Sequence, residues 1–232
     1  MDEGQTSLDL LTGKTNQHVV IDQRVGLPVH QEVVAPLILL KEEAKKVGFQ
    51  LRVISGHRSF KGQQSIWNTK ARGQRPLLDE FGAPLNYDDL SPEEIVESIL
   101  RWSALPGASR HHWGTDLDII DHRAIPTPDY IVDLTPQEVA DDGIFGPFHQ
   151  WLDQLIKDHK SFGFFRPYAK DQGGVRPERW HISYRPLSQT FLEEFTFDRF
   201  YLSLKDSEMD LKDIVLKRAE EIYQKFVINI SD

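Results

Sequence analysis

The sequence predicts a single α+β domain, and three observations support this class. Helical segments and short strand-like runs are mixed along the chain, without an internal repeat. The 232 residues, of which 39% are hydrophobic and 27% charged, suffice for one substantial core. The first residues are polar and weakly patterned. We therefore expect residues 1–20 to form a polar N-terminal arm and residues 21–232 to form the domain, with C-terminal helices over 188–228.

Helices are predicted where an apolar periodicity meets start and stop signals. Ser59 can cap one helix that Gly73 ends, and Ser91, followed by a proline and acidic residues, starts another. The predicted helices cover residues 29–49, 59–73, 91–105, 145–163, 188–204 and 207–227, and the predicted strands cover residues 51–55, 115–121 and 179–185. The last helix carries an apolar stripe. We expect it to pack on its own domain, which favours a monomer over a dimer that would bury the stripe against a partner chain.

Composition excludes several classes of function. The net charge of −9 gives no electrostatic footprint for nucleic acid or for an anionic membrane surface, although it permits a local basic pocket. The lack of cysteine excludes disulfides, thiol nucleophiles and zinc–thiolate sites. No run approaches the ~20 apolar residues that span a bilayer. The N-terminus does not resemble a signal peptide, which favours the cytoplasm; the alternative is the periplasm or cell envelope after removal of a leader.

The stretch SRHHWGTDLD, residues 109–118, carries the first chemical signal. Side chains alternate along a strand, so Asp116 and Asp118 should share one face, ~7 Å apart. Such a pair is most simply a solvated face or a pair of turn caps. The preceding histidines favour another interpretation, because Gly114 permits a turn that brings His111 and Asp118 together. An imidazole and a carboxylate are normal ligands of zinc.

A second stretch, PERWHISY, supplies a third ligand of the right type. His181 lies in a strand-like run, and Glu178 precedes it by three residues. Two histidines and one aspartate leave a coordination position for water, and a nearby carboxylate can then take a proton from that water. The simpler alternative for Glu178, on spacing alone, is a surface ion pair with Arg176 or Arg179.

These stretches resemble the motifs of the VanY-type zinc D-alanyl-D-alanine carboxypeptidases. That family shares its fold with VanX dipeptidases, some phage L-alanyl-D-glutamate endolysins and hedgehog signalling domains. The family pattern S-x-H-x-x-G-x-A-x-D matches Ser109, His111, Gly114 and Asp118, and E-x-W-H matches Glu178, Trp180 and His181. An upstream pattern, S-G-Y-R-S followed by Q, resembles Ser55, Gly56, Arg58, Ser59 and Gln63.

The resemblance implies a small, mostly antiparallel sheet that carries a zinc site and is flanked by helices. It implies that His111, Asp118 and His181 bind Zn²⁺, that Glu178 is the general base and that Arg58 contacts the substrate. The implied substrate is a peptide derived from peptidoglycan. Gln63 is a candidate to hydrogen-bond that peptide, and Ser109 is a candidate either to bind its backbone or to cap the turn.

The sequence departs from the family patterns at two positions. Asp116 replaces a small alanine, and His57 replaces a tyrosine. We expect Asp118 to be the ligand and Asp116 to orient His111 or His112. We expect His112 to face solvent or to support the ligands, and the tryptophans Trp113 and Trp180 to form walls beside them. Four further histidines have no partner pattern and are expected at the surface: His30, His122, His149 and His159.

Two long connections bear on specificity. Residues 76–106 separate the arginine motif from the histidine motif, and residues 123–143 follow the latter. Such loops can close one end of a groove, so we expect a D,D-carboxypeptidase. An L,D-carboxypeptidase and an L-Ala-D-Glu endopeptidase of the same family stay open. So do two readings of another class: a non-catalytic, zinc-containing binding module and a purely structural domain without metal.

Overall fold

A computed structural model describes residues 6–231, which form interspersed helices and short strands. The strands are β1 (Val19–Ile21), β2 (Pro28–His30), β3 (Leu51–Ser55), β4 (Asp116–Asp121), β5 (Phe164–Phe165) and β6 (His181–Tyr184). The α-helices are α1 (Leu8–Leu11), α2 (Val34–Lys46), α3 (Phe60–Ala71), α4 (Pro92–Trp102), α5 (Pro136–Val139), α6 (Gly146–Lys157), α7 (Arg185–Glu194), α8 (Phe197–Lys205), α9 (Lys212–Lys217) and α10 (Ala219–Ile222). The predicted α+β class is confirmed. No helix among these residues is long and apolar enough to cross a membrane.

A four-stranded sheet lies at the centre of the domain. Its order is β3-β4-β6-β5, and every neighbouring pair is antiparallel. In the β4–β6 pair, Asp118 lies opposite His181 and Asp116 lies opposite Ser183. Directly opposed residues of antiparallel strands point to the same face. The register therefore brings the polar side chains of both strands together on one buried face.

Buried apolar side chains form three clusters among the described residues, and the two larger ones hold the sheet and the helices together. One core packs α2 and α6 against the sheet through Leu37, Leu40, Leu117 and Leu152, none of which is exposed. The other core joins α3 and α4 to the C-terminal helices, with buried apolar side chains that include Trp67, Ile99, Phe200, Val215 and Ile222. The apolar stripe of the last helical region is thus buried within its own chain.

Local signals predicted several helix ends correctly. The Ser59 side chain accepts a hydrogen bond from the Gly62 amide, and Ser91 and Glu94 form a reciprocal capping box at the start of α4. Other boundaries were wrong. The helix expected over 29–49 begins only at Val34, because residues 28–30 pair with β1 as a strand. The two long C-terminal helices are each interrupted, at Phe195–Thr196 and at Arg218.

The polar arm expected over residues 1–20 is wrong for the residues that the structure describes; residues 1–5 lie outside them. Leu11 is fully buried, and its carbonyl accepts a hydrogen bond from the Trp113 indole at 3.0 Å. His18 is buried as well, with Nε2 3.1 Å from the His112 carbonyl oxygen. The N-terminal segment therefore underlies the turn of the histidine motif, and its few apolar residues suffice because they fill an existing groove.

Candidate metal centre and active-site cleft

The histidine motif forms a tight turn before β4. Residues Arg110–Trp113 make a single 3₁₀ turn that ends at Gly114 in the left-handed conformation, with φ +68°. A side chain at Gly114 would meet the backbone nitrogen of His30 at 2.7 Å, so both the conformation and the close approach require glycine. The turn reverses the chain and places His111 beside the strand that follows it.

Three buried side chains converge at this point. His111 Nε2 lies 3.5 Å from Asp118 Oδ2, and His181 Nδ1 lies 3.2 Å from Asp118 Oδ1. One donor atom from each of the three residues lies within 4.8 Å of the others. The structure thus brings together the three residues that the sequence analysis named as zinc ligands.

The remaining nitrogen of each imidazole has a partner that fixes its orientation. His111 Nδ1 lies 2.9 Å from the Gly56 carbonyl oxygen, and His181 Nε2 lies 3.0 Å from Asp116 Oδ1. These contacts turn His111 Nε2 and His181 Nδ1 toward the convergence point, where each can coordinate a metal ion once it carries no proton. Asp118 Oδ1 is buried and has no hydrogen-bond partner among the described residues. Two imidazoles and one carboxylate in this arrangement fit a zinc ion.

Asp116 supports a ligand, but not either of the two expected. Its carboxylate accepts from His181 and also from Arg110 Nε, Thr115 Oγ1 and Ser183 Oγ, at 2.7–3.0 Å. Both of its oxygens are therefore occupied, which excludes it as a metal ligand in this geometry. The expectation that it orients His111 or His112 is wrong, because the β4–β6 register places it beside His181.

The electrostatics of the site favour a cation between Asp118 and His181. Burial disfavours a charged His181, but its hydrogen bond to Asp116 and the negative charges of Asp116 and Asp118 outweigh this effect and raise the pKa of His181 to about 10. Burial lowers the pKa of His111 to about 4, against the attraction of Asp118. One imidazole is thus neutral, as a metal ligand must be. The other holds a proton where a metal ion would replace it.

Glu178 lies at the edge of this cluster. Its Oε2 is 3.5 Å from His181 Nδ1, and its backbone amide donates to the Tyr168 carbonyl at 3.0 Å. Burial raises the pKa of Glu178 to about 7, with His181 opposing and Asp118 adding to this effect. The surface ion pair considered as an alternative is absent from the described residues, since Arg176 pairs with Asp171 and Arg179 with Asp141 and Asp153.

Arg58 follows the end of β3 and lines a cleft beside the residues described above. Its guanidinium donates to Gln63 Oε1 at 2.8 Å and to Ser55 Oγ at 3.0 Å, which fixes its plane. Gln63 is fully buried, and its amide also donates to the Ala104 carbonyl at 2.7 Å. The expected contact of Gln63 with a peptide is therefore wrong. With its oxygen given to Arg58 and its nitrogen to backbone, Gln63 holds Arg58 in place.

The match with a family model identifies the relationship. The model described as VanY, D-alanyl-D-alanine carboxypeptidase, covers residues 26–187. The chain belongs to the VanY family. An uncharacterized protein of Haemophilus influenzae is 36% identical over 100 residues, which are 42% of this chain and 68% of that relative.

Two solved structures show the fold of this VanY-family chain. VanYB in complex with D-alanine-D-alanine superposes with a TM-score of 0.51, at 21% identity over 76% of this chain and 81% of that one. A mutant of the vancomycin-resistance D,D-pentapeptidase VanY, in complex with Zn(II), also gives 0.51, at 20% identity over 78% and 88% of the two chains. These similarities confirm the predicted fold class.

Other expectations about polar residues have mixed outcomes in the VanY-family chain. His112 does not face solvent: it is fully buried, and its ring contacts the Arg58 carbonyl oxygen at 2.6 Å and the Gly107 amide at 3.0 Å. His30 and His149, expected at the surface, are buried, whereas His122 and His159 are exposed.

The other residues named from the motifs, two tryptophans and a serine, differ in whether they line the cleft. Trp180 lines the cleft and is 4% exposed. Trp113 packs in the helical core instead. Ser109 lines the cleft and precedes the 3₁₀ turn, but its side chain makes no capping bond, so its contact with a peptide stays a prediction.

Three residues around the cleft escaped the sequence analysis. Arg110 forms the buried ion pair with Asp116 at 2.7 Å. Tyr168 packs edge-on against His181, with ring centroids 5.1 Å apart. Lys70, in the last turn of α3, lines the cleft opposite Glu178. The place of Arg110 inside the histidine motif could have indicated that it belongs to the site. Tyr168 and Lys70 lie in no recognisable sequence pattern.

The two long connections meet at one end of the cleft, whose volume is about 270 Å³. Leu78 and Trp102 line it from the first connection, and Asp133 and Leu134 line it from the second. The Gln137 side chain joins the two by donating to the Phe81 carbonyl at 3.2 Å. Both segments therefore contribute side chains to the lining of the cleft.

Glu138 holds the second connection in shape. Its carboxylate accepts from the Tyr130 hydroxyl at 2.7 Å and from the Thr135 amide at 3.0 Å. Between them, Leu134 adopts a left-handed conformation with φ +55°, which costs an ordinary side chain about 1–2 kcal/mol. A strained residue at a cleft wall persists only where its surroundings fix it, so the position of Leu134 is specified by these bonds.

Proposed function

We propose that this chain is a zinc-dependent D,D-carboxypeptidase that removes the terminal D-alanine from peptidoglycan stem peptides. The observation that carries the proposal is the convergence of His111, Asp118 and His181 beside Glu178, in a cleft that also holds Arg58. Family membership and the ligands in the titles of the two similar structures support the choice of substrate and metal.

The chain's own residues account for the proton transfers of peptide hydrolysis. A bound zinc ion would act as a Lewis acid on water and on the scissile carbonyl. Glu178 accepts a proton from the attacking water and then delivers it to the nitrogen of the leaving D-alanine, so the C–N bond breaks as an amine leaves. A pKa near 7 suits a group that must both take and release a proton at neutral pH.

Arg58 is placed to recognise the peptide at the reacting end. Its two hydrogen bonds to Gln63 and Ser55 leave the guanidinium fixed at the cleft wall. A fixed donor of this kind stabilises either the oxygen of the reacting carbonyl as negative charge develops or the terminal carboxylate of the peptide.

The two long connections that line the cleft favour an exopeptidase. An endopeptidase must let the chain run out on both sides of the scissile bond, whereas a carboxypeptidase needs room for one residue beyond it. Side chains from residues 76–106 and 123–143 line the cleft, and we infer that they limit its extent beyond the scissile bond. An L,D-carboxypeptidase is the closest alternative, because it also removes a terminal D-alanine but cleaves after an L-residue.

The test is the release of free amino acid from defined peptides by the zinc-loaded chain. Peptides that end in D-Ala-D-Ala, in L-Lys-D-Ala or that contain an internal L-Ala-D-Glu bond separate the three activities. We expect D-alanine from the first, and cleavage of only the second or third would contradict the proposal. Glu178→Gln should keep zinc yet lose about 10²–10⁴-fold in turnover, whereas the exposed Glu93→Gln should match the wild type.

A non-catalytic zinc-binding module would give a different result in the same experiment. It would bind the peptides without releasing an amino acid, and Glu178→Gln would then change neither zinc content nor peptide binding. The position of a buried carboxylate at 3.5 Å from a ligand nitrogen, with a pKa raised to about 7, argues for catalysis over this alternative.

A further inference from the structure

The cleft has a cationic wall that the chemistry above does not use. Arg58 lines it, as does Arg110, which is paired with Asp116; two further cations are Lys70 and Arg75, at and just beyond the end of α3. Lys70 follows Gln63 by seven residues, two helical turns, and Ile66 lies between them. Positions with this spacing share one face of a helix, so Lys70 projects into the cleft from the same face that holds Arg58.

Neither of these two cations has a partner in the part of the chain that the structure describes. Carboxylates pair with Arg101, Arg110, Arg166, Arg176, Arg179 and Arg218, but none forms an ion pair with Lys70 or Arg75. Lys70 is also half-buried, unlike most lysines. An ammonium group that has lost part of its hydration without gaining a counter-ion is unfavourable unless a ligand supplies one.

The charges around Lys70 also favour the binding of an anion in the cleft. Burial lowers the pKa of Lys70 to about 8, Glu178 opposes this, and Arg75 and Arg58 reinforce it. Glu178 cannot be the permanent counter-ion if it must carry a proton from water to the leaving group. An anion that arrives with the substrate would relieve the repulsion among the three cations.

We propose that Lys70 and Arg75 form the subsite that binds a free carboxylate of the peptide, which leaves Arg58 for the oxygen of the reacting carbonyl. This proposal rests on the proposed function and deepens it. It also explains how Arg58, Lys70 and Arg75 share one cleft although none of them pairs with a carboxylate among the described residues. The side chains of Lys70 and Arg75 then select substrates by charge, while the metal ligands and Glu178 carry out the hydrolysis.

Two carboxylates of a stem peptide have the required chemistry. One is the α-carboxylate at its C-terminus, and the other is the carboxylate of an acidic residue further along the peptide. Both present two oxygens to a cation. Selective amidation of either group identifies the source.

Turnover with matched peptides tests the subsite. The substrates are a peptide ending in D-Ala-D-Ala as the free acid, the same peptide with an amidated C-terminus, and the same peptide with its acidic side chain amidated. We expect amidation of the bound carboxylate to reduce kcat/KM for the wild type by about 10- to 100-fold. Lys70→Met should show a similar loss with the free acid and little further loss on amidation, and Arg75→Gln a smaller loss.

The control is Lys61→Met, a lysine on the exposed face of the same helix, which should keep both the activity and the discrimination of the wild type. Thermal melting and zinc content confirm that each variant is folded and loaded. If Lys70→Met lowers kcat/KM equally for acid and amide, Lys70 acts through Glu178 or through the fold, and the proposal is overturned.

A binding measurement separates this proposal from the proposed function. In the Glu178→Gln background, calorimetry should show tighter binding of the free acid than of the amide, and Lys70→Met should abolish that difference. This result would support the subsite even if the wild type released no D-alanine from any peptide. Equal binding of acid and amide, or binding of neither, would overturn the subsite even if D-alanine were released.

Discussion

The two walls of the cleft are built in opposite ways. The sheet wall comprises Asp118, His181 and Glu178, on or just before the central strands β4 and β6. The helix wall comprises Arg58, Lys70 and Arg75, at the end of β3 and around α3. On the sheet wall the charged groups are held by one another and by buried partners behind them. On the helix wall only Arg58 is held, and the other two cations are unpaired among the described residues.

The difference shows where the chain itself supplies order. Reacting groups must be fixed before the substrate arrives, because reorientation during the reaction would cost free energy in the transition state. Recognition groups can instead be completed by the substrate, whose binding then supplies the missing partner. Substitutions on or behind the sheet wall should therefore alter the metal centre, whereas substitutions on the helix wall should alter the choice of substrate.

The largest effect is expected from His181→Ala. This change removes one of three zinc ligands and leaves Asp116 and Asp118 facing each other without the intervening imidazole. We expect the wild type to hold about one zinc ion per chain and the variant to hold none after dialysis, as measured by elemental analysis.

The exposed His122→Ala is the matched control and should keep its zinc. A wild type purified without chelator that contains no transition metal would contradict the metal centre altogether. Full zinc occupancy in His181→Ala would show instead that the ligand set is wrong.

A smaller effect is expected from Asp116→Asn, which acts from behind the sheet wall. Burial would raise the pKa of Asp116, but Arg110 and His181 hold it well below its usual range, so the group is a carboxylate at any ordinary pH. An amide accepts a weaker hydrogen bond from His181 Nε2 and makes the imidazole a poorer ligand. We expect zinc affinity to fall about 10- to 100-fold, as measured by competition with a chromogenic chelator.

Asp121→Asn provides the comparison on the same strand. Asp121 is also buried and accepts backbone hydrogen bonds from Gln50 and Arg123, but it lies away from the ligands. Its zinc affinity should match the wild type. If both variants lose zinc equally, the effect of Asp116→Asn comes from the stability of β4 and not from its bond to His181.

The sequence alone predicted the sheet wall well. Strand alternation placed Asp116 and Asp118 on one face, and the family motifs named each ligand and Glu178. It did not predict which imidazole Asp116 supports, because that depends on the register in which Asp118 opposes His181. Strand pairing joins residues 65 positions apart, and no local pattern encodes it.

The helix wall and the N-terminal segment were harder to predict, for a different reason. Lys70 occupies an ordinary position in a helix with an ordinary composition, and only the packing of α3 turns it toward the cleft. The position of the N-terminal segment was predicted wrongly for the same reason. Its polar composition suggested an arm, yet Leu11 and His18 are buried because the turn at residues 110–113 offers them partners. In both cases tertiary contacts override the local signal.

The smallest predicted effect concerns three neighbouring histidines: His18 and His30, which are buried, and His57, which is half-buried. The His18 ring centroid lies 5.5 Å from that of His30 and 5.6 Å from that of His57, which directly precedes Arg58. Burial lowers the pKa of His18, and it lowers the pKa of His30 and of His57 to about 4, with His18 adding to both shifts. His30 and His57 are therefore neutral in the folded chain near pH 6.

Acid should therefore destabilise the fold through this cluster. The unfolded chain takes up protons on His30 and His57 as the pH falls through about 6.5, whereas the folded chain resists until about pH 4. Between those values the free energy of unfolding should fall with decreasing pH, by at most about 1.4 kcal/mol per pH unit for each histidine.

His57→Phe keeps a ring of similar size and cannot bind a proton, so its free energy of unfolding should fall less steeply, as measured by urea denaturation between pH 4 and 7. The exposed His122→Phe should keep the wild-type slope. A His57→Phe slope equal to that of the wild type would show that this imidazole does not contribute to the acid sensitivity, and its site would then be as insensitive to pH as an apolar core.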